Sequence, residues 1–245
     1  MIPNNWNQIS VNQFIELREL GVVPFSSIIE KNIETLLTVS DLEVEEVEDM
    51  STAELNKHVK SLAWLNREPH KKYTKKIGDY TAIPFKKITW GMFIDLEHYY
   101  SENYIKELPT ICGIFYRQTT QDEWGKIIYE PYEYNPIERG DKFKQLPITS
   151  VYGLATSYLE FRDSLINDKY ANLFEKPIDE EEVELTGQDL KEYEEAKEAE
   201  ERFNKWSYES ITLQLANNDI TKMDEILNMG LIYVLNMLSM QVDLK

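Results

Sequence analysis

The sequence predicts a mainly α protein with a small β-hairpin, an α+β chain made of a helical N-terminal layer, an irregular aromatic-rich centre and long C-terminal helices. Three observations predict it. Ser10, Ser40 and Ser51 each stand three positions ahead of Gln or Glu and before apolar residues at helical spacing, the pattern of a capping box. Two short β-prone runs flank Gly78-Asp79, a dipeptide that turns a hairpin. The stretch 221–242 carries apolar residues on nearly every side of a helix.

Taken in order, Trp6 to Ile9 reads as a short extended entry, and Ser10 with Gln13 starts a helix whose Phe14, Leu17 and Leu20 share a face until Gly21. Residues 25–38 form a second amphipathic helix on Ile28, Ile29, Ile33, Leu36 and Leu37. Ser40 with Glu43 opens a short acidic helix, and Ser51 with Glu54 opens one that ends near Trp64 and Leu65. Tyr73 to Ile77 and Tyr80 to Phe85 are the two hairpin strands. Thr89 caps a helix carrying Phe93, Leu96 and Tyr100, and Pro109 opens another through Ile111, Ile114 and Phe115. Gly125, Pro131, Pro136, Gly140 and Pro147 interrupt residues 117–150, which read as an ordered connection without long regular elements. Thr149 or Ser150 starts a helix through Tyr158, Phe161 and Leu165. An acidic stretch runs from Asp179 to Glu201, becoming helical from Thr186 by the spacing of Leu190, Tyr193, Ala196, Phe203 and Trp206. The domain reading is 1–70, 71–177 and 178–245.

Length and composition bound the function. At 245 residues, one large domain or two small ones are open, and such a chain buries roughly 70–75% of its unfolded surface. The balance of 26 basic against 44 acidic residues, net −18, repels phosphate backbones and anionic lipid, so no nucleic acid and no membrane surface is expected as a partner. The local basic strip Arg67, His70, Lys71, Lys72, Lys75 and Lys76 reads as a solvated loop around Pro69. The single cysteine, Cys112, lies in an apolar run and reads as a buried inert thiol. The first residues lack a basic region followed by an apolar stretch, and no apolar run reaches the ~18 residues of a membrane span, so the cytoplasm is the expected location, at least initially.

The chemistry-bearing motifs are absent. The chain has no nucleophile elbow, phosphate loop, dinucleotide glycines or HExxH pair, so no catalytic residue, cofactor or metal site is expected. Asp95 and His98 share one helical face, but two ligands do not make a metal site. Arg139-Gly140-Asp141 reads as a turn. The residues that stand out are those suited to half-wet contacts and adaptable surfaces: Tyr129, Tyr132 and Tyr134 in the centre, and Met229, Tyr233, Met237 and Met240 in the final helix. They are the candidate partner-binding residues, with core packing as the competing reading. Acids beside the tyrosines leave an unrecognised hydrolase as a further alternative.

One phrase is written twice. Ile9-Ser10-Val11-Asn12-Gln13-Phe14-Ile15-Glu16-Leu17 returns as Ile88-Thr89-Trp90-Gly91-Met92-Phe93-Ile94-Asp95-Leu96. Each copy reads as an extended segment feeding a capped helix with Phe and Leu facing the core. The order of Trp6, Ile9-Ser10-Val11 and Phe14, then Leu62-Ala63-Trp64-Leu65, a basic hairpin, the second phrase and Ile114-Phe115-Tyr116-Arg117 resembles a family of tailed-bacteriophage tail-assembly proteins, often of the chaperone type, or tail and connector proteins, found in crAss-like and related phages. The resemblance covers roughly residues 6–166. It implies a non-enzymatic protein that binds other phage structural or assembly proteins during virion morphogenesis, holding a tape-measure or hub protein soluble. Its alternative is a structural subunit of the mature tail or connector. An oligomer or ring, and a place in the host cytoplasm or the virion tail, belong to the same expectation.

Overall fold

The computed structural model describes residues 1–101, 103–132, 135–174 and 207–244. They form a mainly helical chain with one small antiparallel sheet, the class that the patterning predicts. Backbone contacts group Met1–Ile83 with Leu96–Phe161 as one unit, and Pro84–Asp95 with Arg162–Lys245 as another.

In the first unit, α1 (Val11–Leu20) starts on the predicted capping box: Gln13 N–H donates to Ser10 Oγ at 3.1 Å, and Ser10 N–H donates back to Gln13 Oε1 at 3.0 Å. Helix α2 (Ile28–Val39) packs against α1 and is capped by Ser27, with Glu30 returning a bond to Ser26 N–H. Helix α4 (Thr52–Ser61) has the predicted Ser51/Glu54 box and passes into a 3-10 turn at Ala63–Asn66. Ser40 does not cap α3 (Val44–Glu48). Its hydroxyl donates to Leu36 C=O at 2.7 Å and closes α2, so Glu43 and Glu46 take over the start of α3. The entry at Trp6–Gln8 is a 3-10 turn rather than extended, because the Asn5 side chain accepts from Asn7 N–H and pulls the backbone round.

The predicted hairpin forms, but shorter: β1 (Lys76–Ile77) and β2 (Tyr80–Ala82) turn at Gly78, whose φ of +56° is the left-handed region that glycine enters at least cost. The sheet continues beyond it. Strand β3 (Tyr116–Gln121) pairs antiparallel with β2, and β4 (Ile127–Tyr129) pairs with β3. The centre therefore holds regular elements, though none is long: these strands and α7 (Pro136–Gly140), which also absorbs the Arg139-Gly140 turn. Helix α6 (Leu108–Phe115) opens near Pro109 and is buried along its whole length. Helix α8 (Tyr152–Asp163) follows a 3-10 turn at Ile148–Ser150. Edge-to-face rings of Trp6, Phe14, Trp64 and Tyr152 form one cluster in this core, and the rings of Tyr100, Phe115 and Tyr158 form another.

Thr89 caps α5 (Trp90–Ser101) as predicted, accepting from Met92 N–H, and the unit boundary falls inside this helix after Asp95. The second unit holds α9 (Ala171–Phe174), α10 (Ser207–Leu215), α11 (Met223–Leu227) and α12 (Leu231–Asp243), and the buried Trp90 and Phe93 pack there against Tyr208 of α10. The predicted single helix over 221–242 is broken at 228–230. There Gly230 turns extended (φ −62°, ψ 133°) and pairs with Thr89, a backbone bond set that a continuous helix could not make. The predicted acidic helix from Thr186 lies outside the described residues.

The repeated phrase has a repeated structure. Ser10 bridges Pro147 and Thr89 bridges Gly230, both antiparallel. In the first bridge Val11 N–H donates to Leu146 C=O at 2.9 Å, and Ile148 N–H donates to Ile9 C=O at 2.8 Å. In the second, Trp90 N–H donates to Met229 C=O at 2.8 Å, and Leu231 N–H donates to Ile88 C=O at 2.9 Å. Even the approach matches, since Leu146 N–H bonds Phe143 C=O as Met229 N–H bonds Ile226 C=O. Each copy thus joins the starts of two helical segments through one two-bond bridge.

Candidate partner-binding surfaces

Local sequence explains which apolar side chains stay outside. At the tip of the β3–β4 hairpin, the Asp122 carboxylate accepts from Trp124 N–H and Lys126 N–H at 2.9 and 2.8 Å, and Gly125 takes φ +74°. This Asx turn is closed by its own backbone and lifts the Trp124 side chain clear, at 86% exposure. Ile127 and Ile128 follow it, both exposed although they are successive residues of one strand. Adjacent strand residues point to opposite faces, so this end of the sheet is covered on neither. The sequence reading missed Trp124. Its signal was available in the Asp-Glu-Trp-Gly order, which is a turn with an indole at its tip.

A second apolar exposure in the same unit lies between α1 and α2. Val22 and Val23 leave α1, and Ile28 and Ile29 open α2, all exposed, while the C-terminal end of α2 buries Leu36 and Val39. The expected amphipathic face of α2 is therefore buried at only one end.

In the second unit, a cavity of about 180 Å³ lies among Trp90, Leu173, Phe174, Tyr208, Leu235 and Leu238, with Gln214 and Gln241 as its polar lining. Trp90 is held there by its Nε1–H, which donates to Thr212 Oγ1 at 2.9 Å, and by edge contact with Tyr208. Among the described residues no charged side chain lines the cavity.

The sequence-predicted residues are dispersed. Tyr233 and Met240 lie exposed on α12, and Met237 is half-buried there. Met229 sits in the break before α12, half-buried, and works through its backbone carbonyl on Trp90. Tyr129 ends β4 half-buried, and burial pushes its phenol pKa up. Tyr132 is buried, with its ring against the Arg117 guanidinium at 4.5 Å. Tyr134 lies outside the described residues. Cys112 is buried in α6, and burial raises its thiol pKa far above the ordinary value, which removes the thiolate needed for nucleophilic chemistry.

Among the described residues no three His, Cys, Asp or Glu side chains converge as metal ligands, and no helix is long and apolar enough to cross a membrane. The basic strip is solvent-exposed. Lys71 pairs with Glu160 across the surface, while Lys72, Lys75 and Lys76 form no ion pair among the described residues. No protein-family model, no curated protein and no solved structure matches the chain.

Proposed function

We propose that this chain is a non-enzymatic protein-binding protein of tailed-phage virion morphogenesis, acting as a tail-assembly chaperone for a tape-measure or hub protein. The observation that carries the protein-binding part is Trp124, almost fully exposed on a turn that its own backbone bonds hold in place. Tryptophan is the residue most enriched among interface hot spots, and an ordered turn presents it with little entropy left to lose on binding. A net charge of −18 suits a chaperone, since like-charge repulsion keeps it and a bound aggregation-prone client dispersed. The phage context rests on the sequence resemblance alone.

The test is co-expression with a tape-measure or hub protein of the same phage. The proposal expects a soluble complex on size-exclusion chromatography and aggregated client when the chain is omitted, with Trp124→Ala losing the complex. Quantitative mass spectrometry of purified particles separates the alternative: absence from virions fits the chaperone, and a fixed copy number per particle makes it a tail or connector subunit instead.

A further inference from the structure

Lys72, Lys75 and Lys76 stand exposed on a stretch of backbone that belongs to no element longer than β1, yet that backbone is held from both sides. Thr74 N–H donates to Ser150 C=O at 2.9 Å, Tyr116 Oη donates to Thr74 C=O at 2.6 Å, and Ala82 N–H donates to Lys75 C=O at 2.8 Å. Gly153 of α8 allows the approach, since a side chain there would stand 2.3 Å from the Lys71 carbonyl oxygen. Lysines that serve only solubility need no fixed backbone. A fixed one leaves less entropy to lose when they meet a partner. Lys71 is paired with Glu160, whereas the other three form no ion pair among the described residues.

The opposite charge lies exposed in the same unit. Helix α3 turns the buried Val47 inward and is started by Glu43 and Glu46. Glu45, Glu48 and Asp49 follow one another at i, i+3 and i+4, so they share one outer face. All three are exposed and form no ion pair among the described residues. The helix itself gains nothing from them. Like charges at this spacing repel, and Glu48 and Asp49 stand at the end where the last carbonyls favour cations. An opposite charge brought from outside would relieve both costs.

We infer that the lysine strip of one copy of the chain docks on the acidic face of α3 in a second copy. Three cations meet three carboxylates, and no ion pair joins the two surfaces within one copy. Because the two surfaces differ, the contact is head to tail: each copy offers its strip to one neighbour and its α3 face to another. The net charge of −18 does not forbid it, since at physiological salt fields are screened beyond about 8 Å and the charges in contact decide. A nucleic acid fits less well. It carries its phosphates past so short a strip into the acidic remainder of the surface, whereas α3 presents as many charges as the strip does. Exposed ion pairs contribute little singly, so the association needs several together and weakens as salt rises. The inference goes beyond the chaperone reading and does not rest on it, because the client contact is placed at Trp124.

The experiment is sedimentation velocity of the full chain over rising concentration, in low and in high salt. The wild-type chain is expected to associate, with a constant that falls severalfold or more on adding salt. Two variants neutralise one surface each, Lys72→Gln/Lys75→Gln/Lys76→Gln and Glu45→Gln/Glu48→Gln/Asp49→Asn, all at exposed positions, and unchanged thermal melting confirms that both fold. Each alone is expected to stay monomeric, while their equal mixture forms a dimer and nothing larger, since only one strip and one α3 face remain to pair. A wild-type chain that is monomeric in low salt at every concentration overturns the proposal, as does association that survives in either variant alone. So does a monomeric chain that binds a single-stranded oligonucleotide through the three lysines, which makes nucleic acid the occupant.

Discussion

The two bridges share one backbone plan and differ in what surrounds it. In the first, the helix entry is closed by a reciprocal capping box, and the bridge partner is Pro147 at φ −54°, ψ 132°. In the second, Met92 stands where Gln13 stands, so Thr89 caps in one direction only, and the partner is Gly230 at φ −62°, ψ 133°. The second compensates with a ring. Trp90 occupies the position of Val11 and is buried with its indole N–H bonded to Thr212. Equal backbone geometry can thus be held by local bonds at one site and by side-chain packing at another.

That difference can be broken, and the largest effect is expected at the ring. Trp90→Ala should cost about 3–5 kcal/mol, as large core truncations do. Val11→Ala, at the matching position, should cost about 1.5–3 kcal/mol, the worth of a buried valine side chain. Urea unfolding followed by hydrogen exchange of the α12 and α1 amides measures both, and equal losses would remove the distinction. Next come the caps: Ser10→Ala should cost about 1 kcal/mol, and Thr89→Ala about half that, since only Ser10 receives a returned bond. The same exchange experiment reads each helix start separately.

The partner positions should respond in opposite directions. Gly230 already has proline-compatible dihedrals, its N–H makes no backbone bond among the described residues, and a side chain there meets nothing within 4 Å. Gly230→Pro is therefore expected to stabilise by about 0.4–1 kcal/mol through the unfolded state, and Pro147→Gly to destabilise by a similar amount. Differential scanning calorimetry gives both shifts. Smallest of all should be Trp124→Ala, within about 0.5 kcal/mol because its side chain is already in solvent, while it removes partner binding. A stability loss well beyond that range would place Trp124 in the packing and withdraw it as a contact residue.

The elements that the sequence makes legible are those whose bonds close within a few residues. Ser10 with Gln13 and Ser51 with Glu54 announce helix starts because the bonding groups are three residues apart. Gly78 announces a turn because only glycine enters that φ cheaply. Ser40 misled because its hydroxyl had two local choices and the carbonyl of Leu36 won. The final helix misled because its apolar residues kept their spacing through Gly230, while the bonds that break it come from Ile88 and Trp90, far away in the chain.

The candidate surfaces divide the same way. Sequence chose aromatic and methionine residues by type, and burial then separated Tyr233 and Met240, left in solvent, from Tyr132, drawn against Arg117. Nothing in the spacing of Arg117 and Arg139 announces that both reach the carbonyl of Gly113. By itself the sequence determined the helical class, the hairpin turn, the acidic charge and the doubled phrase, because propensity, capping and charge act locally or as sums. Tertiary structure alone decided which segment pairs with each copy of that phrase, which indole is left exposed and which arginine is buried. Those depend on long-range backbone pairing and on what each neighbour excludes from water.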